Sequence, residues 1–331
     1  MSHSNSSLNC FTNCMARYEH AYVLHTQKDK PDSPDLTFGA MAHEVLEKAG
    51  RLRDEVSDGV VNDAEYESII PSELCYEDLK VHFGIKNWKR YFVPIINKVT
   101  EYEKSIINDL VENDDAVIVE REKKLQVTVE ELTRLGVKAN QALVGVVDLL
   151  VVGKTHAVIV DYKFSKNRKT QDDFDLNSQL PIYAFLVHIN YDIPLHNIQY
   201  GYIDIPKHDF EAPIMLSNGK LSRAKDQNVL PEAYKKFVTA VHGDDPVYNC
   251  SPGGYYYDCY CNLALNQVAY LSIQYLDFSV YDNVVSDVFA TMELLDYMKE
   301  HHLPFIKKYD SYSCKSCEYL KSCKRYLSEV W

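Results

Sequence analysis

Apolar residues recur at helical spacing through "FGAMAHEVLEKAGRLRDEV", which predicts a helix over 38–56. From Tyr76 to Glu112 the pattern stays largely helical, with anchors at Trp88, Tyr91 and Ile106. The first twenty residues read as a short segment leading into a helix. The texture changes near Ala116. "AVIVEREKKLQVTV" is rich in Val and Ile and reads as strand, as do "QALVGVVDLLVV" (141–152) and "KTHAVIVDYKF" (154–164). Gly153 and Lys154 stand between the last two, which predicts a hairpin. "SQLPIYAFLVHI" (178–189) follows as a helix, with Pro181 tolerable only in its first turn. "IQYGYIDIP" (198–206) is again a strand.

Residues 207–262 are less regular. "MLSNGKLSRAKDQN" reads as a polar loop or lid, and "CSPGGYYYDCYCN" holds a Gly-Gly turn and clustered tyrosines. "QVAYLSIQYLDFSVY" suggests a strand, and "DNVVSDVFATMELLDYMKEHH" the helix after it. Four regions result: a helical region over 1–115, a core over 116–206, an insert or lid over 207–262, and a C-terminal strand, helix and cysteine segment over 263–331. Together they make one unit.

Strand parity gives the first chemistry. Asp161 and Lys163 are two apart at the end of an apolar strand, so both face one side of the sheet. Asp148 lies in the preceding strand and can approach Asp161 if the two pair. Close carboxylates resist joint ionisation, and a divalent cation removes that penalty; hard oxygen ligands suit Mg²⁺ or Mn²⁺. A lysine beside such an ion suits phosphodiester hydrolysis. On "DYK" alone, a salt-bridged strand end is the commoner outcome. Glu120, at the start of the strand before the hairpin, is a further candidate carboxylate.

The net charge of −13 argues against a broad nonspecific nucleic-acid coat but allows a local basic channel. Lys166, Arg168 and Lys169 directly follow the proposed catalytic strand, and Lys220, Arg223 and Lys225 stand in the polar loop. Either run could meet phosphates or be a solvated loop. The tyrosines at 255–257 could stack on bases, though packing is the simpler expectation. No run of about 18 uncharged apolar residues occurs. The first residues also lack a signal-peptide pattern, so an intracellular protein with no membrane partner is expected. Nine cysteines then suggest ligands or buried thiols rather than disulfides. Cys314, Cys317 and Cys323 could bind zinc or iron–sulfur with a fourth ligand, and Cys10 and Cys14 stand at the other end. Cys250, Cys259 and Cys261 form a second group with no evident fourth partner.

"GVVDLL", a turn and "VIVDYKFSKN" together resemble the core of the PD-(D/E)XK nuclease superfamily. "GAMAHEVLE" resembles the upstream helical motif of its RecB-like branch, and "SQLPIYAFL" the downstream Gln-x-x-x-Tyr helix. The resemblance implies an α/β fold: a mixed central β-sheet of the restriction-endonuclease-like core, flanked by helices, with its terminal segments joined at a metal cluster. It implies His43, Asp148, Asp161 and the Tyr162 carbonyl as Mg²⁺ or Mn²⁺ ligands. Lys163 would position water, and Gln179 and Tyr183 would support the site or guide the strand.

An N-terminal Cys paired with a distal C-x-x-C-x(5)-C is similar to AddB-type proteins and CRISPR-associated RecB-like exonucleases. That likeness implies a [4Fe–4S] cluster on Cys14, Cys314, Cys317 and Cys323, with a structural Zn²⁺ as the alternative. Arg17 and Tyr18 favour Cys14 over Cys10, although Met15 stands where that pattern has proline. The implied activity is DNA hydrolysis, first of all by an exonuclease on single-stranded ends. A flap or structure-specific endonuclease and a non-catalytic DNA-binding module of a recombination complex are the alternatives. The setting expected is recombination, repair or DNA processing, with recombination or replication proteins as partners, in a prokaryotic or phage-infected cell.

Overall fold

The computed structural model describes residues 2–56, 61–70, 79, 82–111, 117–165, 170–207, 209–223, 229–266, 268–306, 314, 315 and 317–323. Its centre is a six-stranded mixed sheet made of β1 (His3–Ser4), β2 (Ile118–Val127), β3 (Leu143–Val152), β4 (Ala157–Ser165), β5 (Ile198–Pro206) and β6 (Tyr270–Tyr275). β2 runs antiparallel to β3 along its whole length, from Ile118 opposite Val152 to Val127 opposite Leu143. β3 and β4 form the expected hairpin, closed by the Gly153 N–H donating to the His156 carbonyl at 2.8 Å. β5 lies parallel to β4, and β6 antiparallel to β5.

The hairpin is paired over a short stretch only, from Val152 opposite Ala157 to Leu149 opposite Val160. Because β2 occupies the other edge of β3, β3 has one edge left beyond Leu149. β1 takes that edge in parallel, with His3 opposite Leu143 and Ser4 opposite Val144. Between these two pairings the sheet forks, and Asp148 stands in the fork.

Strand alternation sorts the core onto two faces. Val158, Val160, Tyr162 and Phe164 of β4 pack with the helices Pro34–Glu55 and Trp88–Val111. Ala157 and Ile159 belong to the opposite core, with the helices Asn5–Asn13, Gln179–Tyr191 and Phe278–Glu300. The Pro34–Glu55 helix begins where the Ser33 hydroxyl accepts the Leu36 N–H, with Pro34 in its first turn. Residues Leu180–Val187 are all buried, so Gln179–Tyr191 is a central helix and not a surface one. Its Pro181 lies in the first turn, where no intrahelical N–H bond is lost. The helix sits close on β3 at Gly145: a Cβ there would stand 2.8 Å from Tyr183 Cε1 and 2.7 Å from Leu186 Cδ1.

The connection from β5 to β6 contains two helices, Pro231–His242 and Tyr257–Asn266, around a third small core that includes Tyr234, Val238, Tyr256 and Leu263. Among the described residues, no helix is long and apolar enough to cross a membrane.

Candidate active site

The β3–β4 register, carried one step past Leu149 and Val160, would set Asp148 opposite Asp161. The ladder stops there. Instead the Tyr162 N–H donates to Asp148 Oδ2 at 2.7 Å, so a side chain takes a place that a strand carbonyl would otherwise fill. The β2–β3 register, likewise continued, sets Glu122 opposite Asp148, and Glu122 adopts the left-handed backbone at φ 47°. That conformation is uncommon for a residue with a side chain and marks a local departure from the strand. His43 comes to the fork from the Pro34–Glu55 helix, with its Nδ1 3.4 Å from Asp148 Oδ2 and 3.8 Å from Glu122 Oε1. One ligand atom from each of His43, Glu122 and Asp148 lies within 4.8 Å of the others.

Asp161 is 1% exposed. Burial and the neighbouring Asp148 charge push its pKa up to about 7, against the opposing pull of Lys163 and His43. Its Oδ2 meets the Lys163 ammonium as an ion pair but receives no hydrogen bond of good geometry. His43 is raised as well: burial opposes its charge, yet hydrogen bonds to Asp148 and Glu122 and the carboxylate fields raise it to about 10. The fork thus carries an excess of negative charge that a proton on His43 or Asp161 only partly offsets. One imidazole nitrogen and several hard carboxylate oxygens, one buried without a good donor, suit a divalent cation.

Lys163 extends from the same face of β4. Its ammonium donates to Gln179 Oε1 at 3.1 Å, while Gln179 Nε2 donates to the Tyr183 hydroxyl at 2.7 Å. The ammonium, a donor only, fixes which way the amide faces, so that its oxygen is turned to the lysine and its Nε2 to the tyrosine. The four-residue spacing of Gln179 and Tyr183 puts both on one side of the helix, as their sequence positions predict.

Beneath the site, on the other face of the sheet, lies a buried polar network that sequence patterns give no sign of. Glu103, 2% exposed, accepts the Tyr162 hydroxyl at 2.9 Å on Oε1. Its Oε2 accepts Arg121 at 2.7 Å and also Arg53. Arg121 reaches Asp54 at 2.8 Å as well, crossing the Pro34–Glu55 helix at Gly50, where a Cβ would lie 2.0 Å from its Nε.

The structure therefore brings His43, Asp148, Asp161, Lys163, Gln179 and Tyr183 to one end of the sheet. It adds Glu122, and it places Glu120 elsewhere, in an ion pair with Lys123 at 2.8 Å. Lys166, Arg168, Lys169 and Lys225 lie outside the described residues.

The chain ends also meet. Arg17 pairs with Glu318 at 2.9 Å, and Lys30 donates to the Lys315 carbonyl at 2.9 Å. Asp29 accepts the backbone N–H groups of Lys321 and Ser322 at 2.5 and 3.1 Å. His20 stacks on Tyr319 at 5.6 Å. Cys10, Cys14 and Cys317 fall within electrostatic reach of one another, and burial pushes the Cys10 thiol up to about 11. None of Cys10, Cys14, Cys314, Cys317 and Cys323 is in a disulfide.

Residues 2–324 match the family model of the PD-(D/E)XK nuclease superfamily. A search of the curated proteins gives no match. Among solved structures the chain is similar to the crystal structure of a "Putative exonuclease" from Eubacterium rectale, at 10% identity and a TM-score of 0.40, over 95% of this chain and 92% of that one. It is also similar to the crystal structure of SSO0001, at 11% identity and a TM-score of 0.27, over 84% of this chain and 82% of that one.

Proposed function

Because this chain belongs to the PD-(D/E)XK nuclease superfamily, we propose that it hydrolyses DNA phosphodiesters at the β3–β4 fork and acts on the free ends of single strands. The observation that carries this reading is the convergence of His43, Glu122 and Asp148 beside Asp161, which feels the Asp148 charge and pairs with Lys163, itself a donor to Gln179. His43, Glu122, Asp148 and Asp161, with the Tyr162 carbonyl, would hold Mg²⁺ or Mn²⁺. When bound, the ion supplies Lewis-acid stabilisation of phosphate charge and a more acidic water. Lys163, held between Asp161 and Gln179, orients the attacking water and offsets charge on the phosphate. Tyr183 acts through Gln179 to position that lysine. The fold sets a long connection at this end of the sheet. β5 leaves the sheet and β6 re-enters it at the end that carries Lys163, so the whole 207–269 connection arises beside the site. The setting that fits is DNA repair, recombination or processing.

The test compares end-labelled linear single strands with circular single strands, in Mg²⁺ and in Mn²⁺. Linear DNA is expected to be degraded and circles to survive, with Asp161→Ala and Lys163→Ala inactive but folded. Circles cut as fast as linear strands would make the enzyme an endonuclease. Binding without cleavage would leave a DNA-binding module.

We further propose that Cys14, Cys314, Cys317 and Cys323 hold a [4Fe–4S] cluster that ties the two chain ends across the core. The Arg17, Lys30 and Asp29 contacts support it, because they hold the segments bearing these thiols together. Protein purified without oxygen is expected to contain iron and sulfide, lost in Cys14→Ala and kept in Cys10→Ala. Stoichiometric zinc in place of iron would overturn the cluster.

A further inference from the structure

The β5–β6 connection contains a feature the catalytic site does not use. Of the three adjacent tyrosines, Tyr256 is fully buried against Tyr234 and the small third core, whereas Tyr255 is 44% exposed. Arg223 lies over the Tyr255 ring, its Cζ 4.4 Å from the centroid. Behind Tyr255 come Tyr248, edge-on at 6.0 Å, and His242, stacked on Tyr248 at 4.9 Å. The ring is also fixed through its backbone. Tyr255 N–H donates to the Val247 carbonyl at 2.8 Å, Tyr256 N–H donates to the Asn249 carbonyl, and Gly254 N–H closes a turn onto Ser251 at 2.8 Å. Exposing a rigidly held aromatic ring gains nothing for folding, but it lowers the entropy cost of stacking a planar ligand on it.

Position and charge narrow the ligand. This connection arises at the end of the sheet that carries Asp161 and Lys163. Residues 207–266 hold six Lys and Arg against seven Asp and Glu, close to neutral in a chain of net charge −13. Arg223 retains a half-exposed guanidinium, with Asp258 at a loose 3.8 Å. An Arg–Tyr pair in a near-neutral setting suits a base stacked on the ring with its phosphate toward the guanidinium.

We propose that Arg223 and Tyr255 form a stacking platform for an unpaired base of the single strand that enters or leaves the active site. This deepens the nuclease reading and rests on it. Bases inside a duplex are stacked on both faces, so the platform selects unpaired bases over the body of a duplex.

The experiment measures fluorescence anisotropy of a fluorescein-labelled oligothymidine in EDTA, and of an abasic oligonucleotide of the same length. Tyr255→Ala is expected to weaken oligothymidine binding about fivefold or more and to bind the abasic strand as wild type does. Tyr255→Phe, which keeps the ring, is expected to retain wild-type affinity. Equal affinity of Tyr255→Ala and wild type for oligothymidine overturns the platform, as does an equal loss on the abasic strand. Cleavage of linear DNA by wild type in Mg²⁺ is scored in parallel. If wild type cuts and Tyr255→Ala binds normally, only the platform fails; if wild type neither binds nor cuts, the nuclease reading fails with it.

Discussion

Removing Glu103 should cost this protein much of its stability although the residue is not a ligand of the fork. The carboxylate is buried and pairs with two guanidinium groups, those of Arg53 and Arg121, while holding the Tyr162 hydroxyl. Burial alone would lower the Arg53 pKa, and the Glu103 charge together with the Tyr66 and Tyr162 hydroxyls more than reverses that effect. In Glu103→Ala, Arg121 keeps Asp54 at 2.8 Å, whereas Arg53, 7% exposed, loses its carboxylate. Stranding one buried charge costs about 3–5 kcal/mol, and the partner left to Arg121 points to the lower end. At about 2 °C per kcal/mol for a chain of this size, the melting temperature should fall by roughly 6 °C or more. Calorimetry on metal-free protein is the assay. Replacing Arg53 with Met in the same chain should recover much of the loss, because the uncompensated charge is then gone. Gly50→Ala should reproduce part of the effect from the other side, since its Cβ would displace Arg121. A melting temperature within about 2 °C of wild type for Glu103→Ala would refute the reasoning, because only a solvated or unpaired network could lose this carboxylate so cheaply.

Two further outcomes concern the ions. Glu122→Gln should weaken Mn²⁺ binding more than about tenfold, since losing a group merely behind a ligand already costs that much, while Glu120→Gln should leave it unchanged; titration followed by electron paramagnetic resonance separates the two. Cation affinity should rise with pH through about 7 and on toward about 10, because Asp161 is raised to the first value and His43 to the second without metal, and both must lose protons to bind. Calorimetry in buffers of different ionisation enthalpy reads the protons released, and pH-independent affinity would count against these two ligands. The same shift has a sign for stability. The folded chain holds the Asp161 proton more tightly than the unfolded chain does, so metal-free stability from this group is greatest below about pH 4 and is lost as pH rises toward about 7.

What could be read from the sequence divides along a physical line. Asp161 and Lys163 share a face because a strand has period two, and Gln179 and Tyr183 because a helix returns after four residues. Local periodicity suffices for both, and the hairpin needed only Gly153 and Lys154. Glu122 needed more. It reaches Asp148 only through the β2–β3 register, and the 15 residues from Thr128 to Ala142 separate those strands, too many for a turn type to set the alignment. A regular strand would also direct Glu120 and Glu122 to the same side, and only the left-handed backbone at Glu122 distinguishes them. The buried network was hidden for a related reason: Glu103, Arg53 and Arg121 come from three elements, and charged residues on amphipathic helices read as solvent-facing.

β1 carries no periodicity at all, being two residues long, yet its presence follows from the fork. Two buried carboxylates facing each other across a closed ladder would repel with little solvent to screen them. The ladder instead ends one step early, Asp148 captures the Tyr162 N–H, and β4 diverges from β3. That divergence leaves the backbone of Leu143 and Val144 without a neighbour on one edge. Buried backbone groups must be paired, and the chain's own first residues supply the partner, with the His3 N–H donating to the Ala142 carbonyl at 2.8 Å. The segment that repairs the sheet leads directly into the helix bearing Cys10 and on to Cys14, so the stretch that completes the sheet beside the candidate active site is continuous with the one that carries the N-terminal cysteines.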